Sequence, residues 1–464
     1  MSKELLNDPK VASSIQLFSS WVEAQMAHQE QPGLSVGIVY DQEIVWSKGF
    51  GLADVAEKTP TTPQTIYRIA SITKLFTATA IMQLRDAGLL QLDDPIKKHL
   101  TWFRMVEKHS DDPPITIRHL LTHTAGLPRE VDFAYWNDGE LFPERAEMIE
   151  RLAQQETVLG TARDWKYSNL GLTLAGEIVA AVSGRSYVDY IRAEILDPLG
   201  MGNTFVETIS PDHPQLATGY GKRLPNQERA VSPFTDCRSV TPAANMASCV
   251  EDLARFAMLQ LRDGPVGGAQ ILAGSSLREM QRVHWLNADW SAGRGLGFYV
   301  WRKDGKTLAG HGGALQGYRT EFQVCPEDKI GVIVLTNADD GNPLMYIDKA
   351  FQWIAPALAA AAKPKAEAPV VDPCWQQYTG KYRNVWSDIE VMLLDTGLVL
   401  IDPSLPDPKV AMTKLTPLSG HTFRMEALNN FGANGELAIF EMNEDGSVAR
   451  IKLGSTYTYP VAAW

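Results

Sequence analysis

Ile69-Ala70-Ser71-Ile72-Thr73-Lys74 is the stretch on which the reading of this chain turns. It opens a run over 72–87 with apolar or small side chains at helical spacing, Ile72, Leu75, Phe76, Thr79, Ile81, Met82 and Leu84, and the run ends at Gly88. That spacing predicts a helix with Gly88 as its C-cap, long enough at about 1.5 Å per residue to cross a domain core. Ser71 then lies on the first turn, and Lys74, three residues on, shares its face. No other serine in the chain has a lysine three positions later. A hydroxyl is a poor nucleophile at neutral pH, and an amine one turn away can take its proton if the amine's pKa is lowered. On an exposed helix the same two residues would be a solvated surface pair. On a buried one the lysine either meets a carboxylate or loses its preference for charge, and the second outcome suits a proton acceptor.

The bulk numbers set the frame. A chain of 464 residues exceeds what one hydrophobic core usually serves, so two domains are expected. With 45% hydrophobic and 21% charged residues it has the composition of a globular protein and not of a disordered one. A net charge of -12 disfavours nucleic acid or an anionic membrane surface and leaves a small molecule or short peptide as the expected partner. The N-terminus is polar and leads into an amphipathic run (Val11, Ile15, Phe18, Val22), so neither a signal peptide nor a membrane span is read there. Cys237, Cys249, Cys325 and Cys374 lie far apart without metal-ligand spacing, which fits a reduced, cytoplasmic setting.

Working outward from Ser71, residues 34–40 and 43–48 alternate in the manner of a β-hairpin. Gly33-Leu34-Ser35-Val36-Gly37 matches the G-x-S-x-G elbow, but that chemistry needs a helix after the serine, so Ser35 is read as a strand residue. From 89 to about 285 the chain is mostly short helices and turns, including 115–123, 169–182 and an apolar helix to Leu261 opened by a capping box at Ser248-Cys249-Val250-Glu251. His119 and His123 stand four apart, yet no H-E-x-x-H glutamate or third ligand accompanies them, so both are read as structural and no metal or other cofactor is expected. Strand signals return at 297–301, 307–311, 319–324 and 331–336, followed by a helical stretch over 345–361. Consecutive strands with tight turns pair antiparallel and, with the early hairpin, complete one sheet.

The expected fold is therefore α/β (α+β): an antiparallel sheet flanked by helices, with a mostly helical subdomain inserted over about 89–285, together making a domain of residues 1–358. An Ala/Pro/Lys-rich linker is read at 359–371, and short alternating strands over 372–464 predict an all-β, barrel-like domain. Two further places can converge on Ser71. Tyr167-Ser168-Asn169 precedes an apolar helix, and Gly310-His311-Gly312-Gly313-Ala314 puts a histidine and small residues on a strand where a substrate could lie against bare backbone.

Taken in order, these segments, with Ile117-Arg118-His119-Leu120-Leu121-Thr122-His123-Thr124-Ala125-Gly126-Leu127-Pro128 and Ile195-Leu196-Asp197-Pro198-Leu199-Gly200-Met201, resemble the serine β-lactamase and penicillin-binding-protein superfamily. The resemblance is to its class C-like branch, which includes D-aminopeptidases, DD-carboxypeptidases and esterases. It implies that Ser71 forms an acyl-enzyme, that Lys74 and a Tyr167 phenolate share the proton traffic, and that Asn169 holds the substrate amide and orients Lys74. It places the oxyanion hole at the backbone amides of Ser71 and Ala314, with His311, Gly312 and Gly313 lining the substrate strand. A peptidase or amidase acting on small, D-amino-acid-containing substrates is the implied activity, with a carboxylesterase or acyltransferase as the alternative and a non-catalytic acyl-binding protein as the other class.

Departures from the family pattern refine this. His311 stands where many relatives have the lysine of Lys-Thr-Gly, replacing a permanent cation with a group of pKa about 6.5, so a substrate carboxylate would be held best as pH falls from 8 toward about 5.5. That, and the absence of an export signal, weigh against β-lactam or D-Ala-D-Ala hydrolysis. Val158-Leu159-Gly160 and Ala244-Asn245 also replace Pro-Gly and Gly-Gly of relatives. Tyr378-Thr379-Gly380-Lys381-Tyr382 resembles the start of the lipocalin-like domain that some members append, a domain that in those relatives narrows the site and can promote homo-oligomers.

Overall fold

The computed structural model describes residues 2–462 apart from 107, 109–110, 137–140, 265–267, 363–370, 395, 408–410 and 428–432. Helix α1 (Pro9–Gln29) starts at an Asp8 cap whose carboxylate accepts from the Lys10 amide at 2.9 Å. The expected hairpin follows as β1 (Gly33–Tyr40) and β2 (Glu43–Asp54), with the short β3 (Thr59–Pro60) on its edge. After the helical insertion the chain returns as β4 (Trp285–Leu286), β5 (Ala292–Arg294), β6 (Tyr299–Lys303), β7 (Lys306–Leu315), β8 (Tyr318–Cys325) and β9 (Ile330–Thr336). All nine join one antiparallel sheet in the order β3-β2-β1-β9-β8-β7-β6-β5-β4, so strands distant in sequence meet at the β1–β9 pair.

β9 is buried along its whole length because the sheet is covered on both faces. On one face lie α1, α5 (Pro343–Trp353) and α6 (Ala355–Ala362), packing Phe18, Val22, Tyr346 and Ile347 against Val36 and Val334. The other face carries the larger core, which includes α2 (Thr73–Asp86), α3 (Asn169–Ser183) and α4 (Val250–Gln260) and residues such as Phe76, Leu172, Phe256 and Phe322. Phe76 stacks on Phe256 with ring centroids 4.1 Å apart, fixing α2 against α4.

Some expectations need correction. The capping box at Ser248 does not form: Ser248 pairs with Tyr67 in a two-residue ladder, and Cys249 is the N-cap of α4 without a side-chain bond. Burial in that ladder directs the Ser248 hydroxyl to Thr204 at 2.8 Å instead of to the helix amides. The helix read over 115–123 is confined to Ile117–Leu121, because Thr116 caps it and His123 adopts a left-handed φ of 58°. α6 runs through Ala362, so the helix takes the first residues of the linker expected over 359–371; 363–370 lie outside the described residues. Ser35 is a buried strand residue, its hydroxyl held by the Thr62 carbonyl and the Tyr67 phenol.

The chain divides into two units, Met1–Ala362 and Lys363–Trp464. The second is a closed eight-stranded barrel, β10 (Gly380–Arg383), β11 (Asp388–Leu394), β12 (Gly397–Ile401), β13 (Thr413–Ser419), β14 (Thr422–Ala427), β15 (Leu437–Met442), β16 (Val448–Leu453) and β17 (Thr456–Pro460). β13 escaped the sequence reading because Pro417 interrupts its alternation, and its pairing with β14 shifts register there. No helix among the described residues is long and apolar enough to cross a membrane.

Candidate active site

Ser71 lies in a 3-10 turn, Ala70–Ile72, that feeds α2, and the residue before it, Ala70, is held at φ 48°. A non-glycine residue in that region costs on the order of 1 kcal/mol and persists only where its surroundings fix it. Here β7 and β8 do so: a Cβ at Gly313 would collide with the Ile69 carbonyl and Thr320 Oγ1, and that hydroxyl donates to the Ile69 carbonyl at 3.1 Å. Gly313 therefore lets β7 run directly against the Ser71 turn.

Lys74 is fully buried, and its Nζ lies 3.0 Å from Ser71 Oγ, 2.8 Å from Asn169 Oδ1 and 2.8 Å from the Ala243 carbonyl. Burial holds its pKa well below the usual lysine value, a shift that Glu130 opposes and Arg129 reinforces. A neutral amine has two hydrogens and one lone pair. The carbonyls of Asn169 and Ala243 can only accept, so they take both hydrogens and the lone pair is left for the Ser71 hydroxyl. The Asn169 amide is oriented in turn by its Nδ2, which donates to Glu130 Oε1 at 2.6 Å.

Tyr167 and Asn169 flank Ser168, the N-cap of α3, whose hydroxyl accepts from the Gly171 amide at 2.9 Å and donates to the Pro128 carbonyl at 2.7 Å. This cap fixes the tyrosine so that its phenol donates to Ser71 Oγ at 2.9 Å. The expected phenolate is not supported: burial raises the Tyr167 pKa, outweighing the lowering by its bond to Ser71. Lys74 and Tyr167 are thus pushed toward neutrality from opposite sides.

His311 stands on β7 with its ring 5.0 Å from Tyr299 and 6.1 Å from Tyr167. Burial above all pushes its pKa down to about 3, below the pH range in which a carboxylate-binding imidazolium was expected. Its Nδ1 donates to the Gly312 carbonyl at 2.6 Å.

The open edge of β7 follows from pairing register. Leu315 and Tyr318 close the β7–β8 hairpin, Lys303 and Lys306 close the β6–β7 hairpin, and each closing pair is a hydrogen-bonded one. Alternation then directs the backbone groups of residues 311, 313 and 315 toward β8 and those of 310, 312 and 314 toward β6. Since β6 begins at Tyr299, opposite Gly310, the amides of Gly312 and Ala314 face an unpaired edge beside Ser71.

Four contributors lie outside the site residues expected from the sequence. Glu130 and the Ala243 carbonyl orient the lysine from remote segments. His123, read as structural, accepts from the Ser168 amide at 3.2 Å and packs its ring 4.6 Å from Tyr167, so it positions the tyrosine. Arg294 lies 4.2 Å over the Tyr299 ring. His119 is remote from these groups in role: its Nδ1 accepts from the Thr116 amide that opens its own helix. The Asn245 departure is structural too, its Oδ1 accepting from Arg68 at 2.9 Å.

A serine, a desolvated lysine and a tyrosine converging beside an open strand edge define an acyl-transfer class of site. The Beta-lactamase family model matches residues 18–356, and the chain belongs to that family, within the serine hydrolase superfamily of β-lactamases and penicillin-binding proteins. A relative over nearly the whole chain is "Beta-lactamase-like protein 2" of Dictyostelium discoideum, 27% identical, covering 98% of this chain and 78% of its own length. Among solved structures, the octameric penicillin-binding protein homologue from Pyrococcus abyssi superposes with a TM-score of 0.63 at 28% identity, over 96% of this chain and 99% of its own. A D-stereospecific amidohydrolase from Streptomyces sp. matches at a TM-score of 0.61 and 24% identity, over 74% of this chain and 98% of its own, a likeness of fold.

Proposed function

We propose that the protein is a serine hydrolase that works through a Ser71 acyl-enzyme on small amide or peptide substrates, D-amino-acid-containing ones among them. The observation that carries the reading is the buried Lys74 Nζ, 3.0 Å from Ser71 Oγ and held there by the Asn169 and Ala243 carbonyls. The Ser71 proton passes to Lys74 as Oγ bonds to the substrate carbonyl carbon. The Ser71 and Ala314 amides receive the developing oxyanion. Collapse breaks the bond to the leaving nitrogen, which takes a proton supplied by Tyr167 and Lys74 together, and water then releases the acyl group by the reverse proton path. The likeness to a D-stereospecific amidohydrolase supports the substrate class, and the likeness to an octameric homologue supports self-association. Four unpaired cysteines suit a reducing, cytoplasmic site of action.

The test is a fluorophosphonate probe on wild type and Ser71→Ala, with turnover of D- and L-amino-acid nitroanilides and p-nitrophenyl esters. Labelling that is lost with Ser71, and nitroanilide turnover, are expected. Labelling that survives Ser71→Ala overturns the nucleophile; ester turnover without amide turnover replaces the amidase with the esterase.

A further inference from the structure

A cleft of about 380 Å³ opens on the face of the sheet opposite α2, bounded by Tyr299, Trp301, Glu321, Gln323 and Leu344 and reaching His311 and Gly312 at the catalytic edge. The register explains its position. Glu321 pairs with Gly312, and Gln323 and Tyr299 both pair with Gly310, so these side chains share one face and the glycines leave it uncovered. A Cβ at Gly312 would lie 2.5 Å from Glu321 Oε2; the carboxylate reaches directly beneath the open edge because no side chain stands there.

The buried polar atoms left unpaired on the cleft-lining residues are acceptors. Gln323 Nε2 donates to Glu321 Oε1 at 3.0 Å, which fixes the amide orientation and turns Oε1 away as a bare acceptor. Gln323 is fully buried, and that Oε1 has no hydrogen-bond partner among the described residues. On the other face of β7, His311 repeats the pattern: with Nδ1 donating to the Gly312 carbonyl, Nε2 is left as an acceptor, buried and without a partner among the described residues. Glu321 adds a carboxylate. Lys303, on the cleft wall, is already engaged by Asp348. Buried acceptors without donors are costly unless a ligand supplies the hydrogens. Burial, reinforced by Asp348, lifts the Glu321 pKa to about 7 against the lowering by Gln323, as befits a carboxylate lacking its counter-ion.

We propose that this cleft is a substrate subsite that binds a primary ammonium on the leaving-group side of the scissile bond. The class follows from the charge present: an ammonium matches the Glu321 carboxylate, which Gln323 Nε2 holds in place and which reaches the uncovered edge at Gly312. The side follows from the edge. A substrate continuing the antiparallel line of β6 places its scissile carbonyl opposite Ala314 and its second following residue opposite Gly312, on the Glu321 face. Two residues at about 3.4 Å each put the ammonium roughly 7 Å beyond the reacting carbon. Trp301 and Leu344 supply apolar wall for the connecting chain. Basic peptides and amides of diamines are the substrate class. The link to catalysis rests on the Ser71 reading, whereas the cleft's affinity for an ammonium does not.

The experiment compares N-acetyl-alanine amides, in both configurations, of 1,4-diaminobutane and of pentylamine, which differ by a terminal ammonium against a methyl group. A kcat/KM at least about tenfold higher for the diamine amide is expected in wild type, equivalent to about 1.4 kcal/mol, and the ratio should fall toward one in Glu321→Gln and decline in Gln323→Met, which removes the amide that positions the Glu321 carboxylate. Equal cleavage of the two amides, or a ratio unchanged by Glu321→Gln, overturns the subsite. Fluorophosphonate labelling reports Ser71 separately. Calorimetry on full-length Ser71→Ala reads the cleft without chemistry: binding of 1,4-diaminobutane but not 1-butanol, lost on adding Glu321→Gln, supports the assignment, and no difference between the two overturns it.

Discussion

The two units of this chain treat buried polarity in opposite ways. In the barrel unit the described residues bury no charged side chain: Thr458 and the Tyr378 and Tyr382 phenols are the polar groups beside a core of Val391, Leu398, Phe423, Phe440 and Ile451. In the first unit Lys74, Asn169, His123 and His311 are buried within one neighbourhood, and several have their ordinary proton affinities displaced. Taking such groups out of water is costly, so their concentration marks where chemistry is done, and the barrel's lack of them marks a unit held by packing.

The strongest attempt to break that contrast is Ser71→Ala, which should abolish fluorophosphonate labelling and reduce turnover by at least about a thousandfold; activity that persists would move the chemistry elsewhere. Next, Tyr167→Phe and Lys74→Met should each lower kcat/KM by about 10²–10⁴ in steady-state assays with folding preserved in circular dichroism, the range typical of a lost proton-transfer group. The pH profile sharpens the roles. Lys74 must be neutral to accept, and burial lowers its pKa, so kcat/KM should rise with pH along an acidic limb centred well below 10.5. Tyr167 must keep its proton, and burial raises its pKa, so the alkaline fall should lie above 10. A limb near pH 6.5 that disappeared in His311→Asn would instead restore a charged imidazole. The smallest effect belongs to the barrel: Thr458→Val should leave kcat/KM within about twofold and shift thermal unfolding by only a few degrees.

The sequence disclosed the parts of this arrangement that depend on local periodicity. The Ser71–Lys74 spacing, the hairpin at 34–48 and the strands from 297 to 336 were readable because their side chains repeat at 3.6 or 2 residues. Tyr167 was reachable only through family resemblance, since Tyr-x-Asn also occurs at Tyr382 to Asn384. Glu130 and the Ala243 carbonyl were hidden because they act from separate segments, and a backbone carbonyl has no letter. The protonation pattern was hidden for another reason. Whether tyrosine or lysine surrenders its charge depends on how deeply each is buried, and here burial turned the expected phenolate into a neutral donor and the expected imidazolium into a neutral acceptor.

The left-handed turn at Ala70 has a kinetic consequence. An alanine forced to φ 48° and clamped by β7 gives Ser71 little room to sample other orientations before a substrate arrives. The ordering that a mobile serine would have to undergo during acylation is completed when the chain folds, so less of the activation barrier is entropic. Ala70→Gly would relax the turn and widen the serine's range; the signature would be a more negative activation entropy for acylation at nearly unchanged substrate affinity.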